Sequence, residues 1–578
     1  MMRIAPFALL VLLNIAAPLS LRTQPVPSPK REVRAVWITT AASLDWPKST
    51  DPAGQQQSLR EMVLRLKASH FNTIFFQVRA RGDAYYQSSY EPWASNLTGT
   101  LGMNPGWDPL AFLLEEAHRA GLEVHAWFNL YKIWSGKFPP VSTPLHPARS
   151  LSRFTVADNA DIWLDPGSPE VRAYLMRVAM ELVRRYDIDG MHFDFIRYPG
   201  PDFRDDDTYR RYGNGQDRDN WRRANIDGFV SMFYDSATTL KPMLKVGSAP
   251  IGVYDIDPDN NTRGAYYTLY QDSQGWLKSR THDYLVPQIY WDIGASRRDP
   301  DFAILAKRWQ EGSWGRQVYI GIAAYKPEVM DELGRQIDLV RNLGAAGESF
   351  FRYEHISTFT MFGRRFSTPA LVPPMPWKDS IPPLPPGTLA VTEVSPRAFY
   401  LEWQAPERAS DGDAARKYAI YRSLRPSFSP DTPGALVNVT AGSETFAVDT
   451  VTTQPGLTYY YRVTALDKGN NESPPSAIST VVVREGLALG GKLSNITTVT
   501  ALVPKDTLAP ALVAYKLAAR MPVVLEVIGN GDSTGVVRKV QEGGTYVIAL
   551  PRERFAAGGY LVRLKAGDTI VEQPLMLR

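Results

Sequence analysis

The chain contains no cysteine. That absence excludes a disulfide framework, thiolate zinc sites, a cysteine nucleophile and a lipid-modified cysteine near the N-terminus. Charge of one sign is also lacking: 64 Lys and Arg stand against 60 Asp and Glu, a net of +4 over 578 residues. The strongly basic footprint of a nucleic-acid-binding protein is therefore not expected. Histidine is scarce, with 7 scattered residues and neither an H-x-x-x-H nor an H-E-x-x-H spacing. Long apolar runs are missing too. Arg3 precedes an apolar stretch from Ile4 to Leu13, and Ala16-Ala17-Pro18 opens a small-residue region. An apolar run of about 10 residues is too short to span a bilayer and suits the core of a signal peptide. Residues 1–23 are read as that signal, cleaved between Ala17 and Thr23, with no membrane segment after it. The expectation is an exported monomer in the periplasm, on the cell surface or in the medium.

What is present is ordinary globular material, 44% hydrophobic and 21% charged. The length corresponds to about three or four domains. There are 14 Trp and 28 Tyr, many of them bunched in loops of the first 300 residues. Residues 369–386 read PALVPPMPWKDSIPPLPP, a proline-dense, semi-rigid spacer. Before it, eight short apolar runs alternate with helical patterns: Glu32–Thr40, Thr73–Arg79, Glu123–Asn129, Gly190–Phe195, Lys245–Pro250, Tyr284–Tyr290, Gln317–Ile322 and Gly347–Tyr353. Helical patterns include Gln57–Ser69, Pro109–Ala120, Pro169–Tyr186 and Glu328–Leu343. Eight βα units predict a (β/α)8 TIM barrel over residues 32–367. A doubly wound sheet is the competitor, but no glycine-rich phosphate loop opens the first helix. After the linker at 368–386, residues 387–485 show fibronectin type III-like cues: FYLEWQAP with Trp403, KYAIYRS, and YYYRVTALDKGNNES. Residues 490–578 form another small β-sandwich domain, ending in what reads as a closing hairpin.

The chemistry of such a barrel lies at the C-terminal ends of its strands. In the fourth run, YDIDGMHFDFIRYPG, alternation puts His192 and Asp194 on one face and the apolar Met191, Phe193 and Phe195 on the other. The apolar set should meet the helices, which turns His192 and Asp194 into the barrel, with Arg197 and Tyr198 in the loop. The third run repeats this with His125, Trp127 and Asn129. The second ends in Gln77 and Arg79 and enters a long loop carrying Asp83, Tyr85, Tyr86, Tyr90, Glu91, Trp93 and Trp107. The sixth ends in Gln288, Tyr290, Trp291 and Asp292. Carboxylates among aromatics fit a sugar site, in which aromatic planes pack on pyranose faces and acids cleave the bond.

Four ordered segments carry a family resemblance: REVRAVWITT; FQVRARGDAYYQSSYEPWASNLTG continuing into GMNPGWDPLAFLLEEAHRAGLEVHAWFN; LDPGSPEVRAYLMRVAMELVRRYDIDGMHFDFIRYP; and VPQIYWDIG. From Val33 to Tyr353 the chain resembles the glycosyl-hydrolase-like 10 family of bacterial envelope proteins. The resemblance implies a TIM-barrel glycosidase acting on cell-wall glycan, in particular peptidoglycan strands without peptide stems, and often followed by a fibronectin-type module. It places the family's loop acid on Glu91 and its fourth-strand acid on Asp194. Two departures stand out. Some members carry a second Asp where this chain has Phe195, and some are lipoproteins, which a chain without cysteine cannot be.

Three chemistries are weighed. In a glycoside hydrolase, Glu91 acts as the acid, its pKa raised by Tyr90 and Trp93, and Asp194 is the base or nucleophile kept ionised by Arg197. The two roles are exchangeable, Asp83 is a reserve, and an N-acetyl-assisted route with one essential acid is open. Arg79, Asn129, Gln288 and Tyr290 would orient hydroxyl or N-acetyl groups. Asp83, Tyr85, Trp93, His125, Trp127, His192, Arg197, Tyr198 and Trp291 complete the expected substrate contacts. No cofactor is expected in this reading. A metal-dependent deacetylase or amidase would instead use His125, His192 and Asp194. A non-catalytic glycan-binding protein is the third reading.

Overall fold

The computed structural model describes residues 26–578 except 257–262, 295–298, 396–397, 441, 452–455, 484–495, 503–510, 518–519, 530–531, 542–543, 551–554, 556–557, 568 and 578. The expected signal peptide lies outside the described residues. Eight parallel strands close into a barrel: β1 (Val33–Ile38), β2 (Thr73–Arg79), β3 (Glu123–Asn129), β4 (Gly190–Asp194), β5 (Lys245–Ser248), β6 (Tyr284–Leu285 and Gln288–Ile289), β7 (Gln317–Ile322) and β8 (Gly347–Phe350). Closure is made by β8 against β1, with Val33 opposite Gly347. The sixth strand is not the continuous run its apolar pattern suggests. Pro287 has no N–H to give the ladder, so pairing breaks there and resumes at Gln288 opposite Gly321. A Cβ at position 321 would stand 2.6 Å from the Pro287 carbonyl oxygen, so only glycine fits at that crossing.

The two-residue period sorts the strand side chains cleanly. Val36, Ile38, Ile74, Phe76, Val124, Phe128, Met191 and Phe193 point outward into the core shared with the helices. Val33, Ala35, Trp37, Phe75, Trp127, Tyr284 and Tyr319 point inward. Large inward rings are accommodated by glycines opposite them. A Cβ on Gly190 would lie 2.5 Å from His125 Nδ1, and one on Gly247 would lie 2.3 Å from the Tyr284 ring. The helices Pro52–Ala68, Pro109–Arg119 and Pro169–Arg185 each start with proline behind an Asp or Ser N-cap that accepts a backbone N–H. The first begins five residues before its apolar pattern. The expected helix Glu328–Leu343 is two, Pro327–Asp331 and Leu333–Asn342.

The proline-rich segment does more than separate domains. Val372 and Met375 join the inward apolar cluster, and Trp377 donates to Asp283 at 2.8 Å beneath an Arg316 stack. The following module has the three-plus-four strand sheets of a fibronectin-type sandwich, with Trp403 packed on Tyr418. It touches the N-terminal end of the barrel, where Asn470 donates to Glu123 at 3.0 Å. The last domain is again a three-stranded and a four-stranded sheet, closed by the hairpin Gly558–Ala566 with Thr569–Leu577. Among the described residues no helix is long and apolar enough to cross a membrane.

Candidate active site

Asp194 ends β4 directly opposite Asn129 of β3 and is half-buried at the mouth of the barrel. The chain turns at once: Phe195 has φ 49°, a left-handed conformation uncommon for a bulky residue. The turn aims the Phe195 N–H at Asp194 Oδ1, 2.7 Å away. Gln288 Nε2 approaches the same oxygen at 3.4 Å while donating to the Ala249 carbonyl at 2.9 Å. Burial raises the Asp194 pKa above the ordinary aspartate value, against the opposing pull of the Phe195 N–H, the Arg197 charge, the Trp127 indole and Gln288. Arg197 pulls this carboxyl toward its charged form, as expected, while desolvation is the larger influence and the net shift is upward. Tyr290 stands close, its hydroxyl pKa pushed far up by burial first and by the charge of Asp194 second.

An aromatic wall rises beside this acid. Phe351, just after β8, lies 5.9 Å from Trp37, 6.3 Å from Trp127 and 5.7 Å from Tyr290. Tyr325, 43% exposed, continues the wall outward at 6.0 Å from both Tyr290 and Phe351. Phe351 and Tyr325 were not among the sequence candidates, although their place after β8 and β7 is the same strand-end signal. Buried polar atoms on the inward face that lack a partner of normal hydrogen-bond geometry include Trp127 Nε1, Asn129 Oδ1 and Ser349 Oγ. Trp127 is nonetheless near enough to Asp194 to favour its charged form.

Glu91 is built into the frame around this mouth. Both its oxygens are taken by Arg79, Nε to Oε2 and Nη2 to Oε1, each at 2.7 Å. Tyr174 donates to Oε1 at 3.0 Å, and the side chains of Glu91 and Arg79 are 0% exposed. The remaining Arg79 nitrogen donates to the carbonyls of Asn129 and Leu130, so the pair ties the loop after β2 to the end of β3. The desolvated, aromatic-flanked acid expected at position 91 is thus a paired carboxylate, and Arg79 offers no free donor to a sugar.

The inward histidines lie one layer down. Trp37 Nε1 donates to His192 Nε2 at 3.0 Å, which leaves His192 Nδ1 toward the Tyr284 hydroxyl at 3.3 Å. Tyr284 in turn meets His125 Nδ1 at 2.7 Å, and His125 Nε2 faces Glu123 at 3.4 Å above the Glu123–Lys245 pair. Burial holds His192 far below the usual imidazole range. All four ring nitrogens are engaged inside the barrel, so neither the expected substrate contact of His125 and His192 nor a zinc set of these two with Asp194 forms. Among the described residues, the group of carboxylates close enough to share a cation is Asp379, Asp411 and Asp413, on the linker and the fibronectin-type module.

Other expected contacts are also internal. Tyr85 is buried and donates to the Thr40 carbonyl, and Asp83 is buried and accepts from the Arg81 N–H. Tyr198 is buried against Asn225 and beneath Arg222. Trp93 and Trp291 are half-buried against the main core. The structure gathers Asp194, Trp127, Asn129, Arg197, Gln288 and Tyr290.

Residues 32–333 match the family model described as glycosyl hydrolase-like 10. Glycosyl hydrolase YngK of Bacillus subtilis is 34% identical over 484 residues, covering 78% of this chain and 93% of that protein. Glycosyl hydrolase DigH of Escherichia coli K12 is 35% identical over 350 residues, covering 53% of this chain and 79% of DigH. Among solved structures, the glycoside hydrolase domain of PgaB from Bordetella bronchiseptica aligns with a TM-score of 0.41 at 14% identity, over 57% of this chain and 96% of that one. The chain belongs to the glycosyl hydrolase-like 10 family and is a glycoside hydrolase.

Proposed function

We propose that this glycosidase is an exported monomer that cleaves peptidoglycan glycan strands lacking peptide stems, with Asp194 as general acid and the substrate's own 2-acetamido group as nucleophile. The observation that carries the reading is the state of the two carboxylates. Asp194 is half-open at a strand end with its pKa raised, whereas both oxygens of Glu91 are held by Arg79 and Tyr174. The groups acting most strongly on Asp194 are the Phe195 N–H, Arg197, Trp127 and Gln288. A two-acid mechanism needs a facing carboxylate roughly 5–9.5 Å away. The substrate-assisted route needs one acid and a sugar carrying an N-acetyl group, which every residue of this glycan does.

In the first step protonated Asp194 gives its proton to the glycosidic oxygen while the acetamido carbonyl oxygen attacks C1. The leaving sugar departs with that proton, and an oxazolinium ring remains on the retained sugar. The carboxylate left on Asp194 is stabilised by the Phe195 N–H, Gln288 and Arg197. Water then opens the ring at C1 and returns its proton to Asp194. Gln288 and Tyr290 would orient the acetamide, and Trp127 would steady Asp194. The wall of Phe351, Tyr290 and Tyr325 suits the apolar face of a pyranose ring. The signal-like N-terminus supports export.

The test is mass spectrometry of peptide-free and peptide-bearing glycan strands incubated with the wild type, Asp194→Asn and Glu91→Gln. Short saccharides with a new reducing end from wild type and Glu91→Gln, absent with Asp194→Asn, are expected, together with inhibition by a thiazoline analogue of the ring intermediate. Release of no saccharide from either strand by wild type sinks the substrate assignment. A folded Glu91→Gln without turnover sinks the one-acid mechanism.

A further inference from the structure

The deeply buried arginines of the barrel come with their counter-ions. Arg79 is paired with Glu91, Arg34 with Glu32 and Arg222 with Asp205, each at 2.7 Å. Arg197, like the half-buried Arg81 stacked on Trp134, has none among the described residues. It is half-buried at the barrel mouth, and among the described residues it makes no ion pair within 4.0 Å. Among the described residues its hydrogen bond runs from Nη1 to the Tyr198 carbonyl at 3.3 Å, although a guanidinium carries five N–H donors. Its flat faces are occupied instead, with the Phe195 ring centre 5.1 Å and the Trp163 ring centre 5.6 Å away. Stacking of this kind fixes the plane and leaves the in-plane donors for a ligand. The second cation at Phe195, Lys132, lies 5.3 Å from that ring and is neutralised by Asp161 at 2.7 Å. Arg197 feels the charges of Asp194 and Asp161, but neither carboxylate closes an ion pair within 4.0 Å with it.

A fixed, unpaired guanidinium beside the bond-breaking acid calls for an anion on the substrate, and the planar fork matches a carboxylate. We propose that Arg197 is a specificity-determining residue that binds a free carboxylate on the sugar next to the scissile bond, the lactyl carboxylate of a muramic acid whose peptide stem has been removed. This rests on the assignment of Asp194 as the acid and of peptide-free glycan as the substrate. The chemistry supplies the selectivity: with a stem attached the lactyl carbonyl is a neutral amide, and after stem removal it is an anion. Phe195 completes the device, because an acidic side chain there, between Lys132 and Arg197, would neutralise the guanidinium from within.

The experiment compares peptide-free glycan strands with the same strands after conversion of their lactyl carboxyls to methylamides. Hydrolysis is followed for wild type, Arg197→Gln and Arg197→Lys. Wild type is expected to favour the carboxylate strand in kcat/KM by roughly 10- to 100-fold. Arg197→Gln should raise KM on that strand and bring the two substrates to within about threefold of each other, with Arg197→Lys retaining part of the preference. Equal rates on both strands by wild type would overturn the proposal. So would an equal loss on both in Arg197→Gln, since Arg197 would then act through Asp194 alone. Should wild type cleave neither strand, the substrate reading fails, and the Arg197 assignment is decided by tryptophan-fluorescence titration of Asp194→Asn with both strands. Tighter binding of the carboxylate form upholds it, and equal binding overturns it.

Discussion

Replacing Glu91 by glutamine separates a structural ion pair from a catalytic acid. The pair is bidentate, both side chains are 0% exposed, and the Arg79 charge has no other acidic partner within ion-pair distance among the described residues. Removing one partner of a buried pair leaves an uncompensated charge and costs about 3–5 kcal/mol. The amide can still accept one bond from Arg79, so about 3 kcal/mol is the expected loss for Glu91→Gln. Asp194→Asn should behave in the opposite way. It removes a carboxylate whose ionisation burial already disfavours and keeps an oxygen for the Phe195 N–H, so stability should stay within about 1 kcal/mol. Turnover should fall about 10²–10⁴-fold, the usual contribution of a positioned general acid. Urea denaturation gives the first quantity, and reducing-end release at a temperature where every variant is folded gives the second. A third variant, Arg79→Met with Glu91→Leu, should recover most of the stability lost by Glu91→Gln, because an apolar pair of similar volume replaces a buried ion pair at little cost. Unchanged stability in Glu91→Gln, with turnover as low as in Asp194→Asn, would refute this reasoning and return Glu91 to the reaction.

Three further outcomes are expected. Arg197→Gln should move the basic limb of the pH–rate profile of kcat/KM on methylamide strands to higher pH, because the removed cation lowers the Asp194 pKa, with the Phe195 N–H, Trp127, Gln288 and Tyr290 left in place; a limb that does not move argues against Asp194 as the titrating acid. Burial depresses the pKa of His282 to about 4, so this group stays neutral in the fold while the unfolded chain protonates near its ordinary value. Its contribution to stability is present above about pH 6.5 and falls by about 1.4 kcal/mol per pH unit as pH drops toward 4, a slope that His282→Gln should remove in denaturation curves compared between pH 7 and pH 5. Gly247→Ala places a methyl 2.3 Å from the Tyr284 ring inside the barrel and should cost about 1–3 kcal/mol by overpacking, read by the same denaturation.

How much of this was legible in the sequence follows from what a repeat can and cannot encode. The two-residue period assigns a face, so Met191 and Phe193 outward and His192 and Asp194 inward could be read directly, as could the eight βα units. The period does not assign depth. His192 stands two residues before Asp194, about 6.6 Å lower along the strand, and that is enough to move it from the mouth into a closed layer with Trp37, Tyr284 and His125. Twice that shift separates His125 from Asn129. Loops hide their partners more fully still. Nothing in the spacing of Arg79 and Glu91 says that the loop between them folds back to join them, and the aromatics near Glu91 that suggested a perturbed acid surround a neutralised one. The sixth-strand break at Pro287 was visible as a proline, and its consequence is to bring Gln288 to the rim beside Asp194.

The distribution of charge inside the barrel gives the division of labour a physical basis. Toward the N-terminal end, Glu123 and Lys245 neutralise each other and Asn470 of the fibronectin-type module covers them. In the middle layer burial disfavours the charged form of His192, which is linked to Trp37 and Tyr284. At the mouth the compensation loosens: a half-open carboxylate whose pKa burial raises stands near a guanidinium that closes no ion pair within 4.0 Å among the described residues. A fold gains nothing by placing these two charges where neither is fully solvated nor tightly paired, since each carries a desolvation cost. The cost is offset when a substrate arrives that takes a proton from the first and supplies an anion to the second. On the proposed reading the two residues are separable: Asp194 sets the rate on any strand that binds, and Arg197 sets the preference for a strand carrying a free carboxylate.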